Sequence, residues 1–269
     1  MSTAGIRDPC PGYKVSSSSA LRIEGLAKSF GTLRVLRAID ASVPPGSVTA
    51  FIGPNGAGKT TLFHTISGDL VPDSGRVLLE NRDVTGLPPW KLARLGIGRL
   101  FQDVRVFRAL SCHDNVVLPL LAHDARRPWT SFRLSGGRTR GETDARAAVR
   151  WALAAVGLEE RCADPAGVLS FGSQKLLALA RLLAGRFRIL LLDEPASGIS
   201  PHVLEKVGTI LRMLVQEQGL TVAMIEHNMR FVAEHADFTY VMRDGEIFDG
   251  GPTAEVLARP ANRELCLGM

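Results

Sequence analysis

The chain has 269 residues, of which 45% are hydrophobic, and a formal net charge of +5 at pH 7. This length suits one domain with a subdomain or two small domains, and the hydrophobic content is enough for a packed core. No apolar run approaches the roughly 18 residues that a membrane-spanning helix needs, and the N-terminus lacks the hydrophobic core of a signal peptide. We therefore expect a cytoplasmic protein that acts at a membrane only through a partner.

The positive charge is mild because acidic residues are spread among the arginines. The basic segments Arg126–Arg127 and Arg133–Arg140 could contact nucleic acid or anionic lipid, but we favour a solvated surface loop. The four cysteines lie far apart and form no CxxC pair, so reduced thiols fit better than a metal site or a disulfide framework. They are Cys10, Cys112, Cys162 and Cys266.

Residues 1–20 show no hydrophobic periodicity and are predicted to be a flexible tail. Further along, Asp83–Pro89 is predicted to be a loop. The run Leu190–Leu192 has no polar alternation, which predicts a strand covered on both faces, as in a parallel α/β sheet. The segments with a strand pattern are Leu21–Leu26, Val35–Val43, Ser47–Ile52, Gly75–Leu79, Ile97–Phe101, Ile189–Leu192, Thr221–Ile225 and Phe238–Met242.

Helical patterns alternate with the later strands, which predicts a doubly wound α/β core. Two of them flank a polar loop, and we interpret the region of about residues 110–180 as an inserted α-helical subdomain. The helical patterns cover residues 113–121, 142–156 and 173–184, and others begin at Pro201 and Asn228.

The stretch from Gly53 to Thr61 fits the phosphate-loop spacing G-x-x-x-x-G-K-[ST] without a mismatch. It follows a predicted strand and leads into a helix, so backbone N–H groups and the helix N-terminus should face phosphate oxygens. Lys59 should reach the β- and γ-phosphates, and Thr60 should place its hydroxyl on Mg²⁺. The alternative is a glycine-rich turn with a chance lysine. The pattern predicts a nucleoside triphosphate site formed by Gly53, Asn55, Gly56, Gly58, Lys59, Thr60 and Thr61.

Two carboxylates, Asp193 and Glu194, end the apolar strand that begins at Ile189. Such strand ends meet the phosphate loop at the ligand-binding edge of an open α/β sheet. We expect Asp193 to hold Mg²⁺, directly or through water, and Glu194 to orient and polarise the attacking water. The alternative is a solvent-exposed strand cap.

The segment Leu169–Gln174 runs into a predicted helix, and Ser173 stands 20 positions before Asp193 (193 minus 173). Together with the phosphate loop, it resembles the nucleotide-binding subunit of ATP-binding-cassette (ABC) transporters, whose signature is LSGGQ. Here Phe171 replaces a glycine and Ser173 replaces the glutamine. The resemblance implies that the γ-phosphate held by the opposite subunit is capped by Ser170, Gly172 and Ser173, which suits a helix N-terminus.

A second match to the signature occurs at Leu134–Gly137, which reproduces its first four letters. It lies 56 residues before Asp193 (193 minus 137), inside the polar loop. The residues after it, Arg138–Gly141, begin no apolar helix. We therefore interpret this match as coincidental.

The resemblance implies roles for three further residues. Gln102, at a predicted strand end, resembles the glutamine that senses Mg²⁺ and water and links to the membrane partner. His227 resembles the switch histidine that contacts the γ-phosphate, and Phe30 resembles the aromatic residue that stacks on adenine. Taken alone, they would be a surface glutamine, a structural histidine and a core aromatic. Ser197–Ser200 occupies the loop that crosses to the opposite subunit but lacks the family's usual aspartate.

The resemblance covers about residues 20–269 and narrows to importers of branched-chain (hydrophobic) amino acids. It implies an ABC ATP-binding domain over residues 21–269, with a P-loop NTPase core, a parallel sheet and an antiparallel N-terminal β subdomain. It also implies ATP and Mg²⁺ as cofactors and ATP hydrolysis coupled to import. The segments that carry it are Arg99–Arg108, Asp193–Gly198, Ile225–Met229 and Gly250–Leu257.

The implied partners are integral membrane permeases, a second ATP-binding subunit that is a copy or a paralogue, and indirectly a periplasmic or extracellular solute-binding protein. They would place the chain on the cytoplasmic face of the inner membrane. The alternatives are an ABC ATPase for another solute or for lipid or lipopolysaccharide export, and a non-transport nucleotide-dependent binding module. The single cassette without a strongly basic arm disfavours the binding module, so we expect no nucleic-acid partner. A GTPase is disfavoured because the sequence has no NKxD-type motif.

Overall fold

The computed structural model describes residues 21–123, 140–185 and 187–267. The predicted tail, most of the basic segment and the second signature match at Leu134–Gly137 lie outside these residues. Within the described residues, ten strands form two sheets. The strands are β1 (Leu21–Phe30), β2 (Leu33–Val43), β3 (Val48–Ile52), β4 (Ser74–Leu79), β5 (Arg82–Asp83), β6 (Ile97–Leu100), β7 (Ile189–Asp193), β8 (Thr221–Ile225), β9 (Phe238–Arg243) and β10 (Glu246–Pro252).

The α-helices follow most of the strands in chain order. Among the described residues, no helix is both long and apolar enough to cross a membrane. The helices are α1 (Lys59–Ile66), α2 (Pro89–Arg94), α3 (Cys112–His123), α4 (Arg140–Ala155), α5 (Phe171–Ala184), α6 (Pro201–Gln216), α7 (Met229–His235), α8 (Thr253–Ala258) and α9 (Pro260–Leu267).

The chain divides into two compact units. The first, the sheet unit, consists of the described residues up to Gln102, residues 187–197 and those from Leu211 onward. The second, the helical unit, consists of the described parts of 103–186 together with 198–210. The boundaries expected from the sequence, at residue 20 and at about residues 110 and 180, stay predictions.

A six-stranded sheet of order β10-β9-β3-β8-β7-β6 forms the centre of the sheet unit. All its neighbouring pairs are parallel except β10 with β9. Every residue of β3, β7 and β8 is buried, which explains why apolar residues dominate their sequences without a polar alternation. Phe51, Ile225 and Asp193 lie in register on three adjacent strands, so these strands end at one edge of the sheet.

The second sheet, of order β2-β1-β4-β5, is antiparallel throughout. Its inward side chains share a core with the parallel sheet and α1, in which Leu21, Val77 and Phe63 are almost completely buried. In this core the rings of Phe51 and Phe63 meet edge to face, with centroids 5.9 Å apart. The antiparallel N-terminal sheet and the parallel core agree with the fold class implied by the sequence.

In the helical unit, α3, α4 and α5 pack against one another through buried side chains that include Val116, Leu153 and Leu177. The completely buried Asn115 side chain fixes the segment that leads into α3. Its Oδ1 accepts from the Phe107 backbone N–H at 2.9 Å, and its Nδ2 donates to the carbonyl of Ser111 at 3.0 Å.

The structure also contains elements that the sequence patterns did not predict. The predicted loop Asp83–Pro89 is shorter than expected, because Asp83 ends β5 and Pro89 begins α2. Proline favours the first turn of a helix, where no N–H donor is required, but six residues are too few for a periodic pattern. Strand β10 and helices α8 and α9 were also not predicted. β10 contains Gly250-Gly251-Pro252, a typical loop sequence, and becomes a strand by pairing with β9.

Candidate active site

The phosphate loop joins the end of β3 to the start of α1 and requires glycine at two positions. Gly53 has φ +142°, and a Cβ there would lie 2.1 Å from the Met242 carbonyl oxygen. Gly58 has φ +96°, and a Cβ there would lie 2.8 Å from the Val35 carbonyl oxygen. Both conformations are open mainly to glycine. The close packing therefore fixes the curvature expected of a phosphate-binding loop.

Lys59 is buried at the base of this loop. Its Nζ donates to the carbonyl oxygens of Gly53 and Pro54, each at 2.8 Å. Thr60 and Asn55, which were predicted to contact nucleotide and metal, are exposed to solvent. The loop therefore combines a buried ammonium group with solvent-accessible polar side chains.

Asp193 ends β7 and is only 2% exposed. Its Oδ2 accepts from Arg99 Nη2 at 3.2 Å, while its buried Oδ1 has no hydrogen-bond partner among the described residues. Burial raises the pKa of Asp193, and the Arg99 charge opposes that shift. A buried, unpartnered carboxylate oxygen calls for a ligand, and carboxylate and hydroxyl oxygens suit Mg²⁺. The donors proposed here, Asp193 and Thr60, fit that ion.

Glu194 is held in a left-handed backbone conformation, φ +47°, that is uncommon for a residue other than glycine. Its carboxylate brings together two residues that are distant in sequence. Oε2 accepts from Gln102 Nε2 at 3.0 Å, and Oε1 lies 3.4 Å from His227 Nε2. The structure thus places three of the predicted catalytic residues in contact.

His227 lies on the loop that follows β8. Burial and the positive charge of Lys59 lower the pKa of His227, although the nearby Glu194 opposes the shift. Because the ordinary pKa of histidine is about 6.5, a lowered value keeps the imidazole neutral near pH 7. A neutral imidazole can donate one hydrogen bond and accept another without adding charge to the site.

The sequence patterns gave no role to Arg99, whose guanidinium joins β7 to the segment that follows α1. Besides Asp193, it donates to Ser67 Oγ and Asp69 Oδ2, each at 2.7 Å from Nη1. The side chain is only 6% exposed and stacks over the Phe101 ring at 4.7 Å. The available signal was a charged residue inside the apolar strand β6, three positions before Gln102.

Phe30 ends β1 in the antiparallel sheet and is 48% exposed. The Lys28 ammonium lies 5.8 Å from the centre of its ring. Phe30 is therefore a surface aromatic rather than a core residue. Its exposed ring has the character needed to stack on a planar base.

The predicted signature, Ser170–Ser173, belongs to the helical unit and begins α5. Ser170 is the N-cap, and its Oγ accepts from the Ser173 backbone N–H at 3.3 Å and donates to Ser173 Oγ at 3.0 Å. Phe171 is 52% exposed, and its ring lies 3.2 Å from where a Cβ on Gly198 would be. A Cβ on Gly172 would lie 3.2 Å from the Val203 side chain. The N-terminus of α5 is therefore capped by Ser170 of the same chain.

The sequence profile of the ABC transporter family matches residues 36–197, which include the phosphate loop, Ser170–Ser173, Asp193 and Glu194. The chain belongs to the ABC transporter family. It is an ATP-binding subunit with ATPase activity, and subunits of this kind dimerise and work with membrane permeases.

Two relatives show how far the likeness of this ABC subunit extends. The high-affinity branched-chain amino acid transport ATP-binding protein BraF of Pseudomonas aeruginosa is 36% identical, over 88% of this chain and 93% of the relative. The corresponding protein LivG of Escherichia coli K12 is 32% identical, over 91% of this chain and 96% of the relative. The likeness therefore includes the C-terminal region beyond the family profile.

Solved structures of ABC cassettes share the fold. An ATP-binding cassette of an ABC transporter in its ADP conformation superposes with a TM-score of 0.80 at 30% identity, covering 93% of this chain and 99% of that one. A bacterial ABC transporter cassette solved as a dimer gives a TM-score of 0.74 at 25% identity, covering 87% and 98%.

Proposed function

We propose that this ABC subunit hydrolyses ATP to drive the import of branched-chain or other hydrophobic amino acids. The observation that carries the proposal is the similarity, over about nine-tenths of the chain, to two proteins named for high-affinity branched-chain amino acid transport. The similarity extends beyond residue 197, where the match to the general ABC transporter family profile ends. Transport of another solute by the same ATPase is the alternative that the experiment below separates.

In the proposed site, Lys59 and the backbone N–H groups of the phosphate loop bind the triphosphate. Asp193 and Thr60 would hold Mg²⁺, which would neutralise negative charge on the triphosphate. Glu194 orients the attacking water, and its contacts with Gln102 Nε2 and His227 Nε2 fix its carboxylate for that task. The neutral His227 adds a hydrogen bond to the transferred phosphoryl group.

A second cassette completes each site in this proposal. Ser170, Gly172 and Ser173 of one subunit close on the γ-phosphate bound by the other, and Phe30 stacks on the adenine held by its own subunit. A similar bacterial cassette has been solved as a dimer, which supports the pairing of two cassettes. The permeases would bind the pair at the cytoplasmic face of the inner membrane, with a solute-binding protein delivering the amino acid from the other side.

The test is uptake of labelled leucine, isoleucine, valine, other amino acids and urea by native cells that carry Glu194→Gln. This change keeps the shape of the side chain but removes the carboxylate, so we expect ATP binding to persist and turnover to fall by roughly 100-fold or more. Uptake of the branched-chain amino acids alone should be lost. Glu234→Gln, at an exposed residue paired with Arg230, is the matched control.

The outcomes separate the ATPase role from the identity of the transported solute. Loss of uptake of a different solute would keep the ATPase role and replace the substrate. Normal uptake of every solute, with ATPase activity confirmed in the purified wild type, would reject import. An active purified Glu194→Gln enzyme would reject the catalytic role of Glu194.

A further inference from the structure

Glu226 is a buried carboxylate in the segment Ile225–Met229, and neither the family resemblance nor the proposed mechanism gives it a role. It directly follows β8 and is 2% exposed. Its Oε1 accepts from the Ala196 backbone N–H at 2.6 Å. Its Oε2 accepts from the backbone N–H groups of His227, at 3.0 Å, and Asn228, at 3.2 Å. Burying a charged group is costly unless it is hydrogen-bonded, so these bonds explain how the carboxylate is tolerated.

The donors belong to two separate loops of the candidate site. Ala196 follows β7, two residues after Glu194, whereas His227 and Asn228 follow β8. Asn228 also caps α7, because its Oδ1 accepts from the Phe231 N–H at 3.1 Å. One side chain thus bonds to the loop that carries Glu194 and to the loop that carries His227.

The loop after β7 needs such a restraint. Glu194 has φ +47°, and a residue other than glycine keeps this conformation only when its surroundings enforce it. The Glu194 N–H donates to the Ile225 carbonyl at 3.0 Å, and the Ser197 N–H donates to the Glu194 carbonyl at 3.1 Å. The bond from Ala196 to Glu226 Oε1 holds the middle of this turn.

We propose that Glu226 is a positioning residue for ATP hydrolysis, which sets the geometry of Glu194 and His227 by hydrogen-bonding both loops. The inference rests on the proposed roles of those two residues. Its donors lie on the loops that carry Glu194 and His227. Its loss should therefore change the rate of the chemical step more than the binding of ATP.

The test is Glu226→Gln in the purified full-length chain, with ATP as the probe. Both carboxylate oxygens accept backbone N–H bonds, so the amide NH₂ group of glutamine must face at least one donor and lose that bond. Since a displacement of about 1 Å can cost roughly 100-fold in rate, we expect kcat to fall by roughly 30- to 100-fold and KM for ATP to change by less than about threefold. Glu234→Gln should leave both values unchanged.

Two further variants make the test independent of folding. Glu226→Asp keeps the charge but is one methylene shorter, so it cannot reach both loops and should show the same split between kcat and KM. In single-turnover measurements, adding Glu226→Gln to His227→Ala should cost far less than it costs in the wild type, because residues that act through one another are not additive. A purely structural carboxylate would lower the melting temperature and ATP affinity together.

Each other outcome overturns the proposal. An unchanged kcat, an equal loss of kcat and ATP affinity, additive effects with His227→Ala, or failure of both Glu226 variants to fold would make Glu226 a stability residue only. Failure of the proposed function is a different result, seen as activity in Glu194→Gln or His227→Ala. If those two variants are inactive while Glu226→Gln is normal, only this inference fails.

Discussion

Two regions of the molecule differ in how their polar groups are hydrogen-bonded. One is the edge of the parallel sheet that carries the phosphate loop and Asp193, and the other is the signature Ser170–Ser173 in the helical unit. At the sheet edge, Asp193 keeps a buried oxygen without a hydrogen-bond partner among the described residues. In the signature, Ser170 bonds to both the N–H and the hydroxyl of Ser173. Unsatisfied buried groups indicate a missing ligand, whereas a self-capped helix start is complete within its own chain. We therefore expect substitutions at the sheet edge to have the larger effects on ATP binding and on stability.

The largest expected effect on nucleotide binding is that of Lys59→Ala. Removing a buried charge that pairs with phosphate costs about 2–5 kcal/mol, which corresponds to roughly a 30- to 5,000-fold loss of ATP affinity. Calorimetric titration of the purified chain with ATP would measure it. Lys91→Ala, on an exposed residue of α2, is the control. Unchanged affinity in Lys59→Ala would remove the phosphate-binding role from this loop.

The largest expected effect on stability is that of Arg99→Met, which leaves Asp69 and Asp193 without their shared cation. Breaking a buried ion pair by removing one partner costs about 3–5 kcal/mol in the free energy of unfolding. Denaturant unfolding would measure the loss. Arg230→Met breaks the exposed pair with Glu234 and should cost less than about 1 kcal/mol. Equal costs for the two variants would show that the buried ion pairs of Arg99 stabilise the fold no more than an exposed pair does.

The smallest effect is expected for Ser170→Ala in the signature. Loss of an N-cap typically costs about 1 kcal/mol in the free energy of unfolding. The ATP affinity of the isolated chain should change by less than about twofold, because the hydrogen bonds of the Ser170 side chain lie within the signature itself. Thermal unfolding and ATP titration would measure the two quantities. A large loss of ATP affinity would contradict the difference drawn between the two regions, since the signature would then contribute to ATP binding in its own chain.

Local patterns predicted much of the fold and of the site. The buried strands β3, β7 and β8 were predicted from short apolar runs, because strands covered on both faces need no polar alternation. The phosphate loop was predicted from its spacing and from the strand and helix patterns on either side, since its glycines, lysine and threonine are neighbours in the chain. Short or edge elements such as α2 and β10 were not predicted, because their stability comes from tertiary pairing rather than from a local pattern.

The sequence by itself determined that the chain carries a phosphate loop, two carboxylates at the end of an apolar strand, and an ABC signature that differs from LSGGQ at Phe171 and Ser173. Only the tertiary structure decided which side chains support these groups. Arg99 bonds to Asp193, 94 positions away, and Glu226 bonds to Ala196, 30 positions away. The physical reason is strand order: β6, β7 and β8 are neighbours in the sheet, although long segments separate them in the chain. Contacts between such strands follow from packing, and no local periodicity records them.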